Sequence, residues 1–185
     1  QNLTGFSNCN AYALQQFSEG PKIAVPKVID ERGTNSAGII GAAGIRVKNE
    51  IVDFTTNHLL HALNSRLNVN VVTTGAVNEA QAASAIQSAG ANGAVVAKIK
   101  RLKMHSMDAL MQPVEVDMDM LVQVYDMQGQ KILEKTVLGH YEKRIGLSVV
   151  DKSTGELVNF TVQDAMFNLV KDTDFKNAVA RLTKI

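Results

Sequence analysis

Between Val114 and Tyr125 the chain alternates with a period of two. Val114, Val116, Met118, Met120, Val122 and Val124 fall on one side. Glu115, Asp117, Asp119 and Gln123 fall on the other. Only a strand with one buried and one wet face suits that pattern, so any fold must supply an apolar layer against it. The stretch Ala94–Met104 just before it begins apolar and then carries Lys98, Lys100, Arg101 and Lys103. An antiparallel pair joined through Ser106–Pro113 sets these cations against those acids. Each such cross-strand pair stabilises by a few tenths to about 1 kcal/mol.

The remaining elements arrange themselves around this pair. Lys22–Asp30 (KIAVPKVID) reads as a strand, with Pro26 at an edge, a bulge or a non-bonded position because it has no N–H to donate. Asn68–Thr74 and Lys131–Tyr141 read as further strands, the latter following a turn at Met127–Gln130. Ile51, Thr55, Leu59, Ala62 and Leu63 recur at helical spacing within Val47–Leu67. Glu79–Ala89 is an Ala-rich helix stopped by Gly90. Val158–Ile185 is helical, with a restart capped in Asp172–Asp174. Glu31–Ile45, holding Gly33, Gly38, Gly41 and Gly44, reads as a long connection, and Glu142–Glu156 as a loop or an extra hairpin.

The order β-α-β-α-β-β-β-α predicts an α/β sandwich of two or three layers around one mixed sheet. Residues 1–20 read as a polar leader or tether, and residues 21–185 as a single α/β domain. The chain opens on Gln1, so the expectation is a processed or cut chain with any signal peptide out of view. Helices are expected to cover the Val/Met side of the sheet and leave no cavity for chemistry.

Nineteen Lys and Arg nearly cancel eighteen Asp and Glu, giving a net charge of +1. Such a chain lacks the broad positive field that dominates nucleic-acid affinity. Aromatics make up 5% with no Trp, which argues against a base-stacking platform. The single cysteine, Cys9, makes neither an internal disulfide nor a Cys-based zinc site. No apolar run approaches the roughly 18 residues that cross a bilayer.

Several constellations invite a chemical reading. Asp30 and Arg32, ending the first strand, read as a structural ion pair that pins the following loop. Gly38-x-x-Gly41-x-x-Gly44 fits neither phosphate-loop nor dinucleotide spacing and reads as a small-residue loop. Ile39 and Ile40 at its tip are candidate partner contacts. His58 and His61 lie at i and i+3 without a third metal ligand, and read as solvent-facing or cap-adjacent. Six of seven methionines lie between residues 104 and 127. Met118 and Met120 belong to the core face, whereas Met107 and Met111 on the hairpin tip offer an adaptable partner surface. His105 beside them keeps a Cu(I) site as the metal-binding alternative. No nucleophile elbow or catalytic signature frames the Ser, His and Asp residues, so no catalytic, cofactor or metal residue is assigned.

Val28-Ile29-Asp30-Glu31-Arg32, the glycine-bearing loop, the long helix and the strand at Asn68–Thr74 resemble the YajG-like envelope lipoproteins. Asp164-Ala165-Met166 through Leu169-Val170 and Phe175 resemble that family's closing helix. The curli-secretion and flagellar H-ring lipoproteins are more distantly similar. The resemblance spans about Lys22 to Ala178 and implies a fold like the TolB N-terminal and anticodon-binding domains. It further implies a non-enzymatic scaffold or assembly factor in the Gram-negative envelope, partnered by envelope proteins or by itself and not by nucleic acid. The implied location is the periplasm, at the outer rather than the inner membrane, held by a lipid anchor outside the given residues. Cys9 departs from the family's lipidation pattern, because Asn8 is bulky where a small residue is usual. A periplasmic module binding a metal or small molecule is the alternative.

Overall fold

The computed structural model describes residues 21–40, 43–48, 50–106, 113–144 and 150–182. Its centre is the alternating pair. β6 (Gly93–Ser106) runs antiparallel to β7 (Val114–Tyr125), which runs antiparallel to β8 (Lys131–Lys143). Val114 through Val124 at every second position are fully buried. At about 1.5–3 kcal/mol for each large apolar side chain, this row is a main source of stability. The predicted charge match holds in register at Arg101↔Asp119 and Lys103↔Asp117. Arg101 Nε reaches Asp119 Oδ2 at 2.9 Å. Lys98 and Lys100 turn instead to Glu31, at 3.4 and 2.5 Å.

The other side of β6 is shared end to end by three strands running parallel to it. β1 (Lys22–Pro26) pairs at Gly93 and Ala94, β2 (Ile29–Asp30) at Lys98 and Ile99, and β3 (Ser36–Ile40) from Met104 onward. β1 also pairs with the parallel strand β5 (Asn70–Thr74). The Lys27 N–H still bonds Thr74 O, so the donor that Pro26 lacks falls on the β6 side, where the ladder breaks. Thr56 Oγ1 accepts the Val28 N–H at 3.0 Å and donates to Val52 O, fixing the bend between β1 and β2.

Two expectations need correction. Ser36–Arg46 is not a simple connection: β3 turns back as β4 (Ala43–Arg46), an antiparallel hairpin. Gly38 has φ +116°, and a Cβ there would collide with the Met104 carbonyl, so the glycine permits the strand approach. Glu142–Glu156 is neither wholly loop nor hairpin, because β8 runs to Lys143 and a helix begins at Val150.

α1 (Glu50–Leu67), α3 (Val150–Lys171) and α4 (Thr173–Leu182) bury their apolar sides on the Val/Met face. Asp172 caps α4, accepting the Phe175 N–H at 2.9 Å. α2 (Ala82–Ala89) packs on the opposite face against Ala24, Ala94, Val96 and Tyr125. The sandwich therefore has three layers at the β1 end and two toward the β7–β8 end. The fold is a mixed α/β sheet with helices, in the order the sequence predicts plus one hairpin.

Candidate functional site

Two clefts are found among the described residues. The larger, about 760 Å³, lies where pairing along β6 stops at Ile99 and resumes at Met104. Arg32, Ile39, Lys100, Lys103, Met104 and His105 are among its lining residues. Asp30 and Arg32 stand beside it in a two-pronged pair. Arg32 Nε bonds Asp30 Oδ1 at 2.9 Å and Nη2 bonds Oδ2 at 2.8 Å. Nη2 also donates to Val47 O at 2.7 Å, just before α1. The Arg32 side chain is 2% exposed and that of Asp30 19%. Burial alone would raise the Asp30 carboxyl, but the Arg32 side-chain bond, its backbone N–H and its charge together hold it below the usual value. Lys100, hydrogen-bonded to Glu31, likewise lowers Glu31 against a smaller burial effect.

Ile39 is 58% exposed on the rim of this cleft. Ile40 lies in the same strand, and its side chain is outside the described set. Met107, Met111, Cys9 and the proposed leader lie outside the described residues. Met118 and Met120 are fully buried core.

The second cleft, about 520 Å³, lies among α1, α3 and β8, lined by residues that include His58, His61, Arg66, Phe160 and Phe167. His58 is not solvent-facing: it is 5% exposed and packs on Phe54, 4.6 Å between ring centres. Burial pushes its imidazole down to about 4, the charge of His61 adds to this, and a hydrogen bond with Asn159 opposes it. A neutral buried ring is a packing element. Tyr141 stacks on Phe160 at 4.8 Å, and Lys171 sits over the exposed Phe167 ring at 4.8 Å. Asp164 and Asn168 face the edge of β8, accepting the His140 N–H and donating to Leu138 O. The seven-residue spacing of Phe160 and Phe167 was a readable sign of one helical face, and the sequence reading missed it. Among the described residues, no three of His, Cys, Asp and Glu converge as a metal-holding group. Among them also, no helix is long and apolar enough to cross a membrane.

No family model matches the chain, and no curated protein matches it in sequence. Solved structures do. The hypothetical protein CT253 from Chlamydia trachomatis matches with a TM-score of 0.56 at 12% identity, over 87% of this chain and 99% of that one. Protein XCC0632 from Xanthomonas campestris, of the DUF330 family model, matches at 0.54 and 7% identity, over 92% and 95%. The PelC dodecamer from Paraburkholderia phytofirmans matches at 0.50 and 13% identity, over 84% and 94%. At such identities the likeness is one of fold, and the chain shares this α/β sandwich fold.

Proposed function

We propose that this chain is a non-enzymatic domain of the bacterial cell envelope that works as a scaffold or assembly factor through protein contacts. It resides in the periplasm, on the outer-membrane side, held by a lipid anchor outside the given residues. The observation that carries the reading is how the polar groups around both clefts are used. Asp30 is bound by Arg32, Glu31 by Lys98 and Lys100, and Asp164 and Asn168 by the edge of β8. These groups hold the fold together, while Ile39, Leu138, Phe160 and Phe167 are left exposed. Phe160 and Phe167 line one cleft and Ile39 the other, and these exposed side chains are the candidate contact points. The compartment is suggested by the sequence resemblance of Val28–Arg32 and Asp164–Phe175 to the YajG-like lipoproteins. The PelC neighbour is described as a dodecamer, which supports self-association as one form of partnering.

Photo-crosslinking in cells tests this. A benzophenone side chain replaces Ile39, and in a control it replaces Asp53, which is exposed on α1. Light-dependent adducts to envelope proteins or to a second copy are expected from Ile39 and not from Asp53. Equal labelling from both positions, or none from Ile39, would overturn the contact role.

A further inference from the structure

The second cleft includes a groove between two helices. α1 contributes Ala62, Ser65 and Arg66 to it, and α3 contributes Met166, Phe167 and Val170. Each set recurs at spacings of three and four, so each is one stripe of its helix. Ala62 and Met166 are nearly buried, Val170 is half-buried and Phe167 stands 54% exposed, so the apolar lining rises from the core to the surface. Arg66 is exposed and has no ion pair among the described residues. Asp164, the acid on this cleft, is engaged by the His140 N–H. A groove between two packed helices accepts an apolar helical turn laid along it.

The chain itself brings such a segment to this end of the fold. Pro21 O accepts the Asn70 N–H at 3.1 Å, so residues 1–20 join the domain beside the strand that follows α1. Ala13, Leu14 and Phe17 fall on one side of a helical turn, with Tyr12, Gln15 and Gln16 on the other. Glu19 is the only charged residue of the twenty, and its sign is opposite to that of Arg66. Phe17 is within about 13 Å of extended chain from Pro21, and Ala13 within about 26 Å. Ala62 lies only about 8 Å along the α1 axis from Leu67, so the segment reaches the groove with length to spare.

We propose that Ala13–Phe17 of this same chain seats in the groove between α1 and α3. Leu14 and Phe17 lie against Phe167 and Val170, and Glu19 lies near Arg66. The leader is in that case a part of the domain and not only a tether. Ile39, on the other cleft, stays available to partners, so this inference and the scaffold role fail independently.

The test places a nitroxide on Cys9, the only cysteine of the full chain, and follows backbone amide resonances. Relative to the reduced label, amides of Ser65–Leu67 and Gln163–Lys171 should lose most of their intensity. Those of β3, β4 and the Val114–Met118 end of β7 should keep theirs. A loose tether would instead broaden Asn68–Asn70 and Asn92, around Pro21, as much as α3. Leu14→Ser combined with Phe17→Ser should restore the α3 intensities, and Phe167→Ser, at an exposed position, should do so from the other side. Broadening centred on the loops around Pro21, or α3 broadening that survives the double variant, would overturn the proposal. So would broadening of an isotope-labelled Cys9→Ser chain mixed with the nitroxide-bearing chain, because the occupant would be a second copy.

Discussion

Asp164 Oδ2 accepts the backbone N–H of His140 at 2.9 Å, and this bond closes the outer edge of β8. One turn along α3, Asn168 Nδ2 donates to the Leu138 carbonyl at 2.8 Å. The two side chains take the donor and acceptor that a second strand would otherwise use. An open edge strand invites pairing with another chain, and α3 blocks it here. Gly139 lies between these bonds, where a Cβ would collide with Thr161 O and meet Ala165 Cβ at 2.9 Å, so the helix rests directly on the strand.

Removing that cover should cost stability and monodispersity together. Asp164→Ala and Asn168→Ala are each expected to destabilise by about 0.5–1.5 kcal/mol, since water can partly replace the lost bond. Melting should fall by about 2–4 °C per kcal/mol. The double variant should also scatter light on standing. A double variant with unchanged melting temperature would show that the edge needs no cover.

The buried ion pair should be asymmetric. Arg32 is far more buried than Asp30, so Asp30→Ala strands the more expensive charge. Asp30→Ala is expected to cost about 3–5 kcal/mol and Arg32→Met less. The pair of changes together should cost less than their sum, and urea unfolding of the three variants measures this. Additive losses, or a larger loss from Arg32→Met, would contradict it.

His58 should make stability depend on pH. Its folded value is about 4, against an ordinary 6.5, because burial penalises the charged ring. The unfolded chain takes up this proton near pH 6.5 and the folded chain does not until about pH 4. The stability present above pH 6.5 is therefore lost as pH falls through that window, by at most about 1.4 kcal/mol per pH unit. His140 has the opposite sign: its hydrogen bond to Asp117 raises it, so its contribution is present at low pH and lost as pH rises through the raised value. That pair is half-exposed and its share is small. His58→Leu should flatten the slope measured by urea unfolding at about pH 7.5, 6 and 5. An unchanged slope would assign the window to other groups.

Gly38→Ala should be worse than an ordinary glycine replacement. The position combines φ +116° with a collision against the Met104 carbonyl. A loss of about 2 kcal/mol or more is expected, and amide exchange should quicken in β3 and β4 before it does in β7. Uniform exchange throughout the sheet would contradict the placement of the strain.

The sequence made some of this legible and hid the rest for physical reasons. Val114–Tyr125 needed no context, because period-two burial is written into every residue, and its observed bounds match. Asp172 likewise declared its cap. The β3–β4 hairpin was hidden because Gly38 and Gly44 look like loop residues, and the strand exists only by leaning on β6. His58 was misread because an imidazole on an apolar helix face carries no sign of whether a second helix will cover it. The larger cleft could not be read at all. It arises from three short strands leaving and rejoining one long one, a matter of register that no local pattern encodes.

The envelope assignment is tested most directly by growing cells that express the full gene product with radiolabelled palmitate and separating their membranes from the soluble fractions. The protein is expected in the outer-membrane fraction, carrying label and released by detergent. Unlabelled protein in the cytosolic fraction would contradict the assignment.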